Sequence, residues 1–290
     1  MRKFLSPFAA AAAILLTLAA GSPALADTAL NLLFFGNSFT IQDDVPGKVG
    51  LLAAADGHAA PLIVADLLGG QDLDYHIGEV AANPTNNVNH ANIAGDTWDF
   101  VVMQGYSTEA THLGDPADFR ADAQTLYTDV RDHASGRGAG VTGVLYETWA
   151  RPNLVPGSFP TLSAMQAEIT TNYHLASNEI NIAQGAGSSR VAPVGEAFEN
   201  LLFDGSLYDA DNYHASTKGS LLASMMIYRT IYGEQVSDIL YADAQAWAGV
   251  NETTWNQLVA VADATTVVPE PTTFALLGIG ALAMLRRRHR

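Results

Sequence analysis

Five short, continuous apolar runs are spaced along the chain. They cover residues 30–35, 61–68, 98–104, 141–150 and 190–194. Uninterrupted apolar runs of this length are typical of strands that are buried on both faces of a parallel sheet. The pattern therefore predicts a sheet of five parallel strands.

Segments with helical spacing lie between and after these runs, at residues 45–55, 116–133, 160–183, 217–232 and 253–262. In the third segment, apolar residues recur every three or four positions from Leu162 to Ala183, and Glu168 and Glu179 lie on the opposite face. Strands that alternate with helices imply right-handed crossovers. The predicted fold is an α/β three-layer, doubly wound sandwich.

The amino end has the composition of an export signal. A basic start at Arg2 and Lys3 precedes an apolar run, and small residues at Ala24 and Ala26 suit cleavage by signal peptidase. Residues 1–26 are therefore predicted to be a signal peptide, and the folded domain is predicted to span 27–264.

The carboxyl end, residues 265–290, has three parts in order. Pro269-Glu270-Pro271 is followed by an apolar stretch at 274–285 and by an arginine cluster at 286–288. A membrane-spanning helix needs about 20 apolar residues, so this stretch is marginal as an anchor, and the arginines would stay in the cytoplasm.

This tail resembles the PEP-CTERM sorting signal of Gram-negative bacteria that make exopolysaccharide. The resemblance implies that an exosortase removes the tail, and a plain membrane anchor is the alternative. The expected location is transient attachment to the inner membrane, through this segment only, and then the outer surface or extracellular matrix.

The charge of the body narrows the choice of partners. Without the two ends, eight Lys and Arg stand against 29 Asp and Glu, which gives a net charge near −21. Such a charge repels phosphate backbones and anionic lipid, so nucleic-acid binding is not expected, and a neutral substrate fits best. The absence of cysteine excludes disulfides and thiolate chemistry.

The first predicted strand ends in Gly36-Asn37-Ser38, at the edge where parallel sheets place their active sites. A nucleophilic serine needs a histidine base that a carboxylate orients. Asp211 and His214 stand three residues apart in a predicted loop before the helix at 217–232. Because Gly-Asn-Ser is also common in turns, the serine alone does not decide between the two roles.

Further candidates follow the other strands. Gly70, after the second strand, can offer a backbone N–H to an oxyanion or form a tight turn, and Gln104 or Ser107 can add a donor after the third. Trp149 is either a wall for a sugar ring or part of the core. No His-Glu-x-x-His spacing occurs, so neither a metal nor a cofactor is predicted.

Taken in order, these blocks resemble the SGNH (GDSL-type) hydrolase superfamily over residues 30–235, and "GGQDLDYH", "YETWA" and "APVGEAF" resemble its DUF4886-like subgroup. The resemblance implies a flavodoxin-like fold and a Ser38-His214-Asp211 triad, with oxyanion donors from Ser38 and Gly70. Asn37 replaces the usual aspartate. The family's asparagine after the third strand is missing, so its role passes to Gln104, or secondly to Ser107.

The expected function is that of an exported serine esterase that acts through an acyl-enzyme on a small ester or an acylated carbohydrate, with carbohydrate O-deacetylation as one such reaction. Two alternatives remain. One is a non-catalytic surface or matrix protein that keeps the fold, and the other is a lipid esterase or thioesterase.

Overall fold

The computed structural model describes residues 28–82, 97–133 and 140–267. The predicted signal peptide and all but the first three residues of the predicted sorting segment lie outside these ranges. Within the described ranges, no helix combines the length and the apolar character that crossing a membrane requires.

Five parallel strands form one sheet, as predicted. The order across the sheet is β2-β1-β3-β4-β5. The strands are β1 (Asn31–Gly36), β2 (Leu62–Leu67), β3 (Phe100–Met103), β4 (Thr142–Tyr146) and β5 (Ser189–Ala192). Strand β1 therefore lies between β2 and β3, and its last residue is at the carboxyl edge of the sheet.

Strand burial differs from the expectation in one place. The side chains of β1, β3 and β4 are almost all buried, whereas β2 is partly open and Leu62 is 44% exposed. The reason is helix cover: β2 and β5 are both edge strands, but β5 packs against the helices at Leu162–Gln184 and Thr217–Tyr232 and is mostly buried, whereas β2 has less helix cover. Strand β4 is also shorter than predicted and ends at Tyr146, so residues 147–150 form a loop.

Nine α-helices lie within the described residues: α1 (Ser38–Ile41), α2 (Val45–Ala55), α3 (Leu73–Ala82), α4 (Pro116–His133), α5 (Leu162–Gln184), α6 (Val194–Asn200), α7 (Thr217–Tyr232), α8 (Tyr241–Ala244) and α9 (Glu252–Ala264). Helices α2 and α7 pack together on one face of the sheet, and α3, α4 and α5 pack on the other. The three-layer α/β fold is thus confirmed.

The short helix α6 packs very closely on its surroundings at Gly195. A Cβ atom there would lie 2.0 Å from Gln166 Nε2 and 2.2 Å from the carbonyl oxygen of Thr148. Only glycine leaves room for this approach. The contact ties α6 to α5 and to the loop that follows β4.

Candidate active site

The turn after β1 presents Ser38 at the start of a helix. Asn37 caps α1 by accepting a hydrogen bond from Phe39 N at 3.1 Å, and its side-chain nitrogen donates to the carbonyl oxygen of Gln71 at 2.7 Å. The cap ends the strand abruptly and directs the next residue out of the carboxyl edge of the sheet. Ser38 is that residue, and it is half-buried.

A second tight turn carries Asp211 and His214. It is closed by an antiparallel bridge between Tyr208 and Ala215. One carboxylate oxygen of Asp211 accepts hydrogen bonds from the backbone N–H groups of Tyr213 and His214, at 2.9 and 3.0 Å. The same side chain therefore shapes the turn and faces the imidazole.

Folding brings the three predicted triad residues into one line. His214 Nε2 lies 2.9 Å from Ser38 Oγ, and His214 Nδ1 lies 2.6 Å from Asp211 Oδ2. With Nδ1–H donated to the carboxylate, Nε2 is left as the acceptor for the serine hydroxyl. The arrangement is the one in which a neutral imidazole can remove the proton from a serine.

The carboxylate of Asp211 is held in its charged form. Partial burial alone would raise the pKa of Asp211, but the hydrogen bonds from the His214 ring and from two backbone N–H groups together outweigh burial. The pKa of Asp211 is consequently lowered from its ordinary value. A charged carboxylate at this position stabilises an imidazolium on its neighbour.

Two backbone N–H groups are free to meet an oxyanion. Among the described residues, no acceptor is bonded to the N–H of Ser38 or of Gly70. Gly70 has a φ of +80°, which favours glycine, and its turn is tied to the serine turn because Leu68 N donates to Gly36 O at 3.1 Å. The two groups therefore belong to adjoining turns at the same edge.

Gln104 has a different place from the predicted one. Its side chain is 0% exposed, and its oxygen accepts hydrogen bonds from Asn37 N at 3.0 Å and from Thr40 Oγ1 at 2.9 Å. Its nitrogen donates to the carbonyl oxygen of Gly105. In this structure the Gln104 amide supports the serine turn from inside the protein, and its assignment as a donor to the substrate stays a prediction.

Ser107 is also buried, and it leads to a residue that the sequence analysis missed. Its hydroxyl oxygen accepts a hydrogen bond from Arg151 Nη1 at 2.9 Å. The guanidinium carbon of Arg151 lies 3.7 Å from the centre of the Tyr213 ring, next to the imidazole. Ser107 thus holds a cation beside the site, and no motif in the sequence marks that cation.

Trp149 belongs to the core and is 0% exposed. Its ring stacks on Phe39 at 4.2 Å and on Phe198 at 4.8 Å, and its Nε1 donates to the carbonyl oxygen of Tyr213 at 3.1 Å. Of the two predicted roles, core packing is the one that the structure supports. Through that hydrogen bond, Trp149 holds the backbone next to His214.

One group of possible metal ligands occurs among the described residues. Single ligand atoms of Glu147, His174 and Glu196 lie within 4.8 Å of one another. Glu147 is buried, its pKa is raised to about 8 by burial, and its Oε1 accepts from Gln166 and Thr170, each at 2.6 Å. These three residues are not among the partners of Ser38 or His214.

A cavity of about 580 Å³ adjoins the loop after β3. Tyr106, Glu109 and Asp122 line it together with four further aspartates, Asp72, Asp74, Asp115 and Asp118. Burial and the neighbouring carboxylates raise the pKa of Glu109 to about 8 and that of Asp122 to about 6. Near neutral pH, Glu109 is therefore mostly protonated, whereas Asp122 is mostly ionised.

The chain resembles known proteins at its carboxyl end and in its fold. The PEP-CTERM protein-sorting motif matches residues 267–289. No curated protein matches the sequence. Among solved structures, a DUF4886 family protein from Bacteroides uniformis superposes with a TM-score of 0.60 at 19% identity and covers 81% of this chain and 94% of its own.

Two further solved structures are similar. A protein from Slackia heliotrinireducens that is described as an SGNH hydrolase gives a TM-score of 0.56 at 24% identity, covering 70% of this chain and 98% of its own. A lipase/acylhydrolase from Enterococcus faecalis gives 0.50 at 18% identity, covering 70% and 96%. The chain therefore has the α/β fold of the SGNH (GDSL-type) hydrolases and ends in a PEP-CTERM sorting motif.

Proposed function

We propose that the chain is an exported serine esterase that hydrolyses carboxylic esters through an acyl-enzyme. One observation carries the proposal, namely the hydrogen-bonded line from Asp211 through His214 to Ser38, at 2.6 and 2.9 Å. The fold shared with SGNH hydrolases supports it, because such folds place their sites at the carboxyl edge of the sheet.

The chemistry follows from these groups. Ser38 Oγ attacks the ester carbonyl while His214 Nε2 takes its proton, and the N–H groups of Ser38 and Gly70 stabilise the oxyanion. His214 then gives that proton to the leaving alcohol, and the acyl group stays on the serine. Water, deprotonated by the same imidazole, attacks the acyl-enzyme; the acid leaves, and His214 returns the proton to Ser38 Oγ.

Turnover of 4-nitrophenyl acetate by the full-length chain tests the activity. Ser38→Ala is expected to reduce the rate to that of the buffer, and Ser163→Ala, an exposed serine on α5, is the matched control. Mass spectrometry of the quenched reaction should show one added acetyl group that Ser38→Ala lacks. Equal rates for the wild type and Ser38→Ala would instead favour a non-catalytic protein that keeps the fold.

The substrate class is part of the proposal. We infer an acylated carbohydrate at the outer surface or in the extracellular matrix, after signal peptidase and an exosortase have processed the two ends. The sorting motif at 267–289 supports this location. Release of acetate from acetylated polysaccharides is the expected result, whereas faster turnover of long-chain nitrophenyl esters than of the acetate would favour a lipid esterase.

A further inference from the structure

Arg151 differs from most other cations of the body in its surroundings. Five of the described Lys and Arg side chains pair with carboxylates: Lys48, Arg120, Arg131, Lys218 and Arg229. Arg151 is only 9% exposed, yet within the described part of the chain no carboxylate pairs with it. A cation that is buried without a counter-charge loses hydration that nothing in the protein replaces.

The guanidinium also keeps unused donors. Of its five N–H groups, one on Nη1 donates to Ser107 Oγ at 2.9 Å and Nε–H donates to Asn153 Oδ1 at 3.3 Å. The described residues provide no acceptor for the other three, and Nη2 is not among the polar atoms sealed from solvent. The free donors on Nη1 and Nη2 form the fork that matches the two oxygens of a carboxylate.

The position of Arg151 relates this fork to the candidate active site. One face of the Tyr213 ring lies 3.7 Å from the guanidinium carbon, and the same ring lies 4.3 Å from the His214 imidazole. Only one aromatic ring therefore separates the cation from the proposed base. Ser107 and Tyr213 hold the guanidinium from two different loops, so it has little freedom to move away.

We infer that the substrate carries a carboxylate, as a uronic-acid unit does, within one sugar ring of the ester that is cleaved, and that Arg151 binds it. This inference rests on the proposed esterase function. It replaces the neutral substrate that net charge alone suggested. The repulsion from a body near −21 is screened beyond about 8 Å at physiological salt, so the local cation decides binding at contact distance.

Binding to a non-hydrolysing chain gives the first test. The ligands are a mono-O-acetylated methyl galacturonoside and its C6 methyl ester, which differ in the negative charge and in one methyl group. By calorimetry, full-length Ser38→Ala is expected to bind the acid at least about tenfold more tightly than the methyl ester. Adding Arg151→Gln should abolish the preference, whereas adding Arg120→Gln, which changes the net charge equally but at a cation that pairs with Glu179 on α5, should keep it.

Three results would overturn the inference: no detectable binding of the acid at millimolar concentration, equal affinities for acid and ester, or a preference that survives Arg151→Gln. Arg151→Lys is a control for the possibility that Arg151→Gln acts only by distorting the loop. It keeps the charge without the fork, so part of the preference should remain, and its complete loss with an unchanged melting temperature would also count against the inference.

Hydrolysis of the same two esters separates this inference from the proposed function. With Ser38 present, the ratio of kcat/KM for the acid to that for the methyl ester is expected to be about ten or more and to fall to about one in Arg151→Gln. A general loss of activity cancels in this ratio. If the acid binds preferentially but no Ser38-dependent hydrolysis occurs, the esterase proposal fails while the carboxylate site stands.

Discussion

Replacing Gln104 by leucine tests whether this residue supports the serine turn or contacts the substrate. In the structure its amide makes three internal hydrogen bonds, with Asn37 N–H, with the Thr40 hydroxyl and with the Gly105 carbonyl. Leucine has a similar size but can form none of them. Two buried polar groups, Asn37 N–H and the Thr40 hydroxyl, would then lose their partner in the protein, whereas the Gly105 carbonyl keeps the Asn37 side-chain nitrogen at 3.4 Å.

The expected cost follows from these two groups. A buried polar group that is left without a partner costs about 1–3 kcal/mol, so the free energy of unfolding should fall by about 2–6 kcal/mol. For a domain of this size, that corresponds to a urea midpoint lower by roughly 1–2 M. Because Asn37 caps the helix that begins at Ser38, we also expect kcat on 4-nitrophenyl acetate to fall about 100-fold.

The assay combines urea unfolding, followed by tryptophan fluorescence, with kinetics on the same preparation. Gln245→Leu, at an exposed glutamine, is the matched control and should change neither quantity appreciably. If Gln104→Leu lost activity while the urea midpoint stayed within about 0.3 M of the wild type, the side chain would act on the substrate directly. The structural argument for its supporting role would then be refuted.

Three further outcomes are expected. Asp211→Asn should lower kcat on 4-nitrophenyl acetate by about 10³–10⁴-fold, because an amide no longer stabilises the imidazolium. The control Asp209→Asn, in the same turn, should stay within about threefold of the wild type. A loss under tenfold in Asp211→Asn would contradict the proposed mechanism. Burial raises the pKa of Glu109 from 4.5 to about 8, so the folded state keeps a proton that the unfolded state releases. The free energy of unfolding should therefore fall as the pH rises from 4.5 to 8. In urea titrations, Glu109→Gln should weaken this pH dependence. Gly195→Ala should lower the free energy of unfolding by about 1–3 kcal/mol in the same titrations, because its Cβ would overlap a buried amide and a backbone carbonyl. The control Gly205→Ala should be close to neutral, because nothing lies within 4 Å of a Cβ at that position.

Much of the fold is predictable because each element has a local signature. Each of the five strands coincides with an apolar run, and the helices at 45–55, 116–133 and 217–232 have the predicted bounds. The exposure of β2 is not predictable in this way, since it depends on how much of an edge strand the helices cover. Helix α6 has only seven residues, too few to show a periodic pattern, and it was missed.

The candidate site is predictable where a residue has both reactive chemistry and a place at a strand end. Ser38 satisfies both conditions, whereas His214 is marked by Asp211 three residues before it, and the folded chain brings Ser38 and His214 together. Gln104 also follows a strand, but sequence position does not give the direction of a side chain, and this one points inward. Arg151 was missed because what distinguishes it is the lack of a carboxylate partner among the described residues. Only the folded chain shows which residues surround it.

The serine and histidine of the proposed active site are 176 residues apart in the chain, and they meet only when the first strand and the turn before α7 are both in place. A fragment that ends before this turn keeps every strand of the sheet but has no base for its serine. Reactivity would thus begin late, after nearly the whole polypeptide has been synthesised and has folded. Partial products of translation or proteolysis would leave the esters around them intact.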